Sequence, residues 1–309
     1  MESIKVFSPG SITNLSCGYD ILGLCLEGRG DEIKVTKTSK KGITIKSISG
    51  FDLTRDINEN VSGIAAQALL SEIDIDHGFE IEINKGIKPG SGIGSSAASS
   101  AGTVFAINQL LDSPFSLLDL VKFSMEGEKF VSGAYHADNV APIIFGGITL
   151  VRNIDDLDII PLPTPKDLEV VIVRPNIEIK TADSRKVVKK KIKIEKMTQQ
   201  SANLGSFISS LYTEDYDLMS RSVIDQIVEP DRAVLIPEFE KVKIISKDSG
   251  SIAVGISGSG PSIFSLSNNR VTSNNILDKI SDHYNSVDIE FDGFISKVNS
   301  GGIKTIEVK

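Results

Sequence analysis

The segment Pro89-Gly90-Ser91-Gly92-Ile93-Gly94-Ser95-Ser96-Ala97-Ala98 places glycines at alternate positions directly ahead of a run of small residues. Glycine permits backbone angles that other residues resist, and its missing side chain lets a ligand approach the main chain closely. If the small residues open a helix, the N–H groups of its first turn face the loop without partners, at the positive end of the helix dipole. A phosphate seated there gains several hydrogen bonds and roughly 0.3–2 kcal/mol from the dipole. Ser95 and Ser96 add hydroxyls for phosphate or metal. Two familiar phosphate loops do not fit. No Lys-Ser/Thr follows the glycines, as a Walker A loop requires, and Ser95 stands where a dinucleotide fingerprint needs its last glycine. A small-residue helix packed on a sheet would account for Ala97, Ala98, Ala101 and Gly102. It would not account for three glycines and two serines in front of them.

The elements that must position this loop are partly legible. Ile4–Phe7 alternates as a short strand that stops at Pro9-Gly10, and residues 32–36 and 42–46 read as paired antiparallel strands. Residues 60–70 have helical spacing with Asn60 as a capping candidate, and residues 79–84 form a strand leading into the glycine loop. A proline-rich break at residues 161–165 separates two halves, 1–155 and 156–309. Beyond it, residues 168–173 read as a buried strand and residues 181–228 as mostly helical. A second glycine-rich turn, Ser257-Gly258-Ser259-Gly260-Pro261, sits between strands at 252–255 and 262–266. Strands and helices intersperse without regular βα alternation, which indicates an α+β fold.

Composition narrows the function classes. Hydrophobic residues are 40% and charged residues 24% of 309, ordinary for a packed globular chain. A net charge of −8 argues against a nucleic-acid partner. The six lysines between Lys186 and Lys196 read as a solvated helix face. Cys17 and Cys25 lack CxxC or histidine context and read as small core residues of a reducing compartment. No secretory leader and no stretch of about 18 apolar residues is present, so a cytoplasmic protein is expected, without a membrane partner.

The glycine-serine loop resembles the second motif of the GHMP kinases, P-x-x-x-G-[LI]-G-S-S-A-A, matched without a gap from Pro89. Gly255 to Ser262 resembles the third motif of the same superfamily. Near the N-terminus, Ser8 to Asp20 is similar to the homoserine kinase pattern A-P-x-S-x-A-N-x-x-x-G-F-D. Asn14, Gly18 and Asp20 match it, Thr13 replaces the usual Ala and Tyr19 the usual Phe. His136-Ala137-Asp138-Asn139 with Pro142 is similar to the family's H-x-D-N-x-x-P segment. Thr181, Arg185 and Glu229-Pro230-x-Arg232 fit positions of its C-terminal half.

The resemblance implies a ribosomal protein S5 domain 2-like N-terminal domain and a ferredoxin-like C-terminal domain, with ATP between them. It implies phosphorylation of the side-chain hydroxyl of L-homoserine, Mg²⁺ on Ser96 and Glu128, and a homodimer. Nucleotide would meet Asn60, Val61, Pro89, Gly90, Ser91, Gly92, Ile93, Gly94, Ser95, Ser96, Ala97, Thr181, Gly258 and Gly260. The acceptor would meet Asn14, Asp20, His136, Asn139, Arg185 and Arg232, with the arginines on its carboxylate and Asp20 on its ammonium. Chemistry would fall to Glu128, Asn139 and Ser96. Asn139 stands where other GHMP kinases carry an aspartate, so no dedicated base is expected, and neighbouring Asp138 is expected to point elsewhere. Two rivals remain at this point: a GHMP kinase for mevalonate or a sugar, and a non-catalytic relative that binds ligand and regulates a partner.

Overall fold

The computed structural model describes residues 1–179 and 181–309, leaving the side chains of Thr181 and Ala182 undescribed. In chain order the elements are β1 (Ser3–Thr13), β2 (Leu22–Thr38), β3 (Gly42–Ser49), α1 (Val61–Leu70), β4 (Gly78–Asn84), α2 (Ser95–Leu110), α3 (Leu117–Ser132) and α4 (Val140–Phe145). Then follow β5 (Ile148–Asn153), β6 (Asp158–Leu162), β7 (Glu169–Pro175), α5 (Thr181–Lys186), α6 (Ile194–Thr213), α7 (Tyr216–Ser222) and α8 (Glu229–Arg232). The chain ends with α9 (Phe239–Asp248), β8 (Ala253–Ile256), β9 (Ile263–Ser267), α10 (Arg270–Ser286), β10 (Phe291–Lys297) and β11 (Lys304–Val308).

Two sheets carry the fold. The larger has the order β11-β1-β2-β4-β3, with β5 joined to β2 and β6 to β5. The smaller, β10-β7-β9-β8, is antiparallel throughout. Helix α2 lies against β1 and β2, and its Ala97, Ala98 and Ala101 are fully buried. Small side chains here let helix and sheet approach closely. A second core forms where Ile276, Ile280 and Tyr284 of α10 meet Val171 and Val173 of β7 and Val254 of β8.

Several elements differ from the sequence-based expectation. β1 does not stop at Pro9-Gly10. It continues to Thr13, with a register shift against β2 between Pro9 and Ser11, and such a bulge lets a strand carry proline. β2 and β3 do not pair. β4 inserts between them, antiparallel to β2 and parallel to β3, with α1 as the crossover. β4 buries Phe79, Ile81 and Ile83, whereas β3 fully buries only Ile45. The more apolar strand takes the central place and the more polar one the edge. The lysine-rich stretch is solvated but mostly not helical, because Lys189, Lys190, Lys191 and Lys193 lie between α5 and α6.

The expected division between residues 155 and 156 falls in the turn joining β5 to β6, and β11 returns to pair with β1. Cys17 and Cys25 are buried and unpaired, and burial pushes the Cys17 thiol up to about 12. Among the described residues, no helix is long and apolar enough to cross a membrane.

Candidate active site

A cleft of about 520 Å³ collects Thr13 at the end of β1, residues of α2 and α3, and loops that include the turn between β8 and β9. One end is built from main chain. α2 begins at Ser95, and its first hydrogen bond runs from the Ala98 N–H to the Gly94 carbonyl. The N–H groups of Ser95, Ser96 and Ala97 therefore have no carbonyl of their own helix to meet. Gly94 caps the helix with φ 71°, and a Cβ there would lie 2.3 Å from the Ser11 hydroxyl and 3.1 Å from Asn139 Oδ1. Gly92 has φ 80°, and its Cβ would lie 2.8 Å from the carbonyl oxygens of both Ser257 and Gly260. Both positions require glycine for space as well as for backbone angle.

The second glycine turn grips the first. Ser257 Oγ donates to the Gly92 carbonyl at 2.6 Å, and Ser262 Oγ donates to the Ser91 carbonyl at 2.7 Å. Beneath the loop, buried Lys85 donates to Asp31, to the Ser95 carbonyl at 2.8 Å and to Ser99 Oγ at 2.8 Å. Asp31 in turn accepts from the N–H groups of Gly86 and Ile87. This buried pair has hydrogen bonds on both partners, the condition under which a buried charge is tolerated. Sequence reasoning missed it. Its only signal was a lone aspartate among inward positions of β2 and a lysine directly after β4.

Glu128, on α3, is buried at the end of the glycine loop. Burial pushes its carboxyl up to about 7, against the downward pull of the Ser96 hydroxyl and the Lys85 ammonium. Its Oε1 is buried without a hydrogen-bond partner. An orphaned carboxylate oxygen beside a serine hydroxyl fits a hard divalent cation that takes oxygen ligands and keeps its waters. Among the described residues, no cluster of three or more His, Cys, Asp or Glu gathers for a metal.

The other end of the cleft is built from side chains. Arg185 forks onto Asp20, with Nη1 to Oδ2 at 3.2 Å and Nη2 to Oδ1 at 3.0 Å. Buried Arg232 donates through Nε to the Ser184 carbonyl at 3.2 Å and through Nη1 to the Gly258 carbonyl at 2.8 Å. The same carbonyl accepts from Asn14 Nδ2 at 2.9 Å. Asn14 Oδ1 accepts from the Asp20 N–H at 3.0 Å, holding a loop in which Asn14, Leu15, Ser16 and Asp20 all have positive φ. Asn139 Oδ1 accepts from Ser11 Oγ at 2.9 Å. His136 lines the cleft with Nε2 buried and unpartnered, and burial pushes its ring below the ordinary histidine range.

Asp138 does not point away, for it lines the same cleft as Asn139. Burial, with the charges of Asp20 and Glu128 behind it, pushes its carboxyl up to about 7.

The expected residues fall into three groups. Asn14, Asp20, Asn60, Val61, Pro89, Gly90, Ser91, Gly92, Gly94, Ser95, Ser96, Glu128, His136, Asn139, Arg185, Arg232 and Gly258 border the cleft. Ile93, Ala97 and Gly260 do not. Ile93 turns into the core, Ala97 is fully buried with only its N–H facing the loop, and Gly260 backs Gly92 with its carbonyl. The Thr181 side chain lies outside the described residues.

Two further placements refine roles. Ser95 Oγ donates to the Ile87 carbonyl at 2.9 Å, whereas the Ser96 hydroxyl faces the Glu128 carboxyl. Asn60 caps α1 by accepting from the Ser62 N–H and donates to the Thr54 carbonyl, thereby fixing a wall that also contains Leu53, Thr54, Glu59 and Val131. Sequence reasoning missed those four, which lie in a loop and at a helix end without a motif.

Comparisons with known proteins agree with this geometry. The family model described as the GHMP kinases N terminal domain matches residues 60–147, and the GHMP kinases C terminal model matches residues 207–286. The chain is 36% identical over 320 aligned positions to a homoserine kinase of Chlorobium phaeobacteroides (strain BS1), covering 99% of this chain and 100% of that protein. It is 43% identical over 270 positions to a homoserine kinase of Methanococcus maripaludis (strain C5), covering 86% and 88%. The crystal structure of homoserine kinase from Cytophaga hutchinsonii superposes with a TM-score of 0.95 at 42% identity, covering 99% of this chain and 98% of that one.

Proposed function

Since the chain belongs to the homoserine kinase family of the GHMP kinases, we propose how its own residues carry out the family's reaction. It is an enzyme that phosphorylates the side-chain hydroxyl of L-homoserine with ATP, giving O-phospho-L-homoserine, a step of threonine biosynthesis. The observation that carries the residue-level reading is the meeting, in one cleft, of a backbone phosphate cradle and a pair of arginines facing a carboxylate.

ATP phosphates sit on the N–H groups at the start of α2, between the Gly92 and Gly94 turns. Ser96 and Glu128 would hold Mg²⁺, and the orphaned Glu128 Oε1 supports this assignment. When bound there, the ion would supply neutralisation of the phosphate charge. Homoserine is a zwitterion, and Asp20 and Arg185 pair with each other. The entering acceptor exchanges that internal pair for its own charges, ammonium on Asp20 and carboxylate on Arg185 and Arg232. Asn139, fixed by Ser11, and Asn14 then orient the acceptor hydroxyl toward the γ-phosphate. An amide cannot take the hydroxyl proton, so it leaves to a phosphate oxygen or to water. A loose transition state permits this, since the hydroxyl need not be deprotonated early. A cytoplasmic homodimer is part of the same proposal.

The test is ADP release from MgATP by purified protein across L-homoserine, mevalonate, galactose and L-serine, with Arg232→Ala in parallel. Turnover on homoserine that collapses in the variant, with the KM for ATP unchanged, is the expected result. Full homoserine turnover by Arg232→Ala would remove the carboxylate clamp.

A further inference from the structure

The two arginines at the acceptor end do not stand independently. Tyr19 Oη lies 3.4 Å from Arg185 Nη1 and 3.4 Å from Arg232 Nη2, and each guanidinium donates to it. The Arg232 guanidinium carbon is 5.1 Å from the Tyr19 ring centroid. Tyr19 is thus held between two like charges that would otherwise repel across a half-buried space. Arg232 spends Nε and Nη1 on carbonyls, and Arg185 spends its fork on Asp20. One phenolic oxygen is what each has left in common. The pattern that Gly18-Tyr19-Asp20 resembles carries phenylalanine at this position, so the hydroxyl is what tyrosine adds to that pattern.

We propose that Tyr19 is a positioning residue for acceptor specificity, its hydroxyl bridging Arg185 and Arg232 and setting the spacing at which they receive an α-carboxylate. The proposal rests on the carboxylate-clamp reading above. A bridged pair is ordered before the acceptor arrives, so less side-chain freedom is lost on binding. When Asp20 turns to the incoming ammonium, the phenol still ties Arg185 to Arg232 and keeps its free nitrogens facing the cleft. Phenylalanine keeps the ring under Arg232 and removes only the bridge.

The experiment compares wild type, Tyr19→Phe, Arg232→Ala and the double variant on L-homoserine and on L-homoserinol, which has the same amine and reacting hydroxyl but no carboxylate. Losing a neutral acceptor of charged donors is expected to raise the KM of Tyr19→Phe for homoserine about tenfold. Its kcat and its KM for ATP should stay within about twofold, and its kcat/KM on homoserinol should equal that of wild type. In the Arg232→Ala background the tyrosine change should add nothing. An unchanged homoserine KM in Tyr19→Phe overturns the proposal while leaving the clamp intact. Equal losses on both acceptors also overturn it, since they would mark a general structural role. An unchanged homoserine KM in Arg232→Ala removes the clamp itself and the proposal with it.

Discussion

The two ends of the cleft are made of different material. The end proposed for phosphate is one continuous segment, Pro89 to Ala97, which offers backbone N–H donors and takes its shape from Gly92 and Gly94, where a Cβ would clash. Other chain segments clamp it at carbonyls: Ser257 at Gly92, Ser262 at Ser91 and Lys85 at Ser95. The acceptor end has almost no ligand backbone. It gathers side chains from residues 14–20, 136–139, 185 and 232, and much of its polar capacity is held in internal pairs such as Asp20 with Arg185. The contrast follows from the two ligands. Phosphate is small, highly charged and the same in every reaction of this kind, so a rigid main-chain cradle suffices. An amino-acid acceptor must be distinguished from other alcohols, and that requires charges at fixed separation. Gly258 belongs to both ends, because its turn grips the glycine loop while its carbonyl accepts from Asn14 and Arg232.

The largest effect should come where the two ends meet. Glu128→Gln should lower kcat by about a thousandfold, because the carboxylate proposed to hold the cation is lost. The pH profile sharpens this. On the proposed assignment the ionised carboxylate would hold the cation, and burial has pushed its pKa up to about 7, so proton and cation would compete below that pH. Activity should fall as pH drops through about 7, and raising Mg²⁺ should move that limb to lower pH. A limb that ignores Mg²⁺ would take the cation off Glu128.

Next, Gly90→Ala should cost about tenfold in kcat/KM for ATP, since φ is 69° there and a side chain strains the glycine loop while meeting only Glu178 Cγ at 3.6 Å. Homoserine affinity, measured by isothermal titration without nucleotide, should change far less. If it falls equally, the ends are not separable as argued.

The smallest effect on turnover should come from Asp138→Asn, which should keep most of the kcat. A thousandfold loss would instead make Asp138 the base and move the proton into the acceptor end. Its effect on stability should be easier to see. The Asp138 carboxyl is pushed from 3.8 to about 7 in the folded protein, so folding favours its protonated form. Stability is therefore lost as pH rises from about 4 to 7, on the order of 4 kcal/mol in all. Removing the charge should raise the Tm by several degrees at pH 8 and little at pH 4. A Tm unchanged at pH 8 would show that the carboxyl is not held in the surroundings described.

This contrast also governs what could be read from the chain. The phosphate end was legible because its chemistry is local: helix start, glycine angles and serine hydroxyls lie within ten consecutive residues. The α1 cap at Asn60 was legible for the same reason. The strand pairing of residues 32–36 with 42–46 was misread because a strand's period does not name its neighbour, and the apolar β4 took the central position. The placement of Asp138 was misjudged from chain adjacency, whereas a short turn ahead of α4 brings both it and Asn139 to the cleft. The Lys85–Asp31 pair could not be found, since its partners are 54 residues apart and neither sits in a motif.

By itself, then, the sequence determined the family and the residue types that the cleft collects: glycines and serines ahead of a helix, a glutamate, and side chains of both charges. Tertiary structure alone decided which serine faces Glu128, that Arg185 rests on Asp20, and that Tyr19 joins the two arginines. The reason is physical. Residue types and short-range backbone angles are fixed by local covalent structure, whereas hydrogen-bond partnership among distant polar groups is settled only by the burial that brings them together.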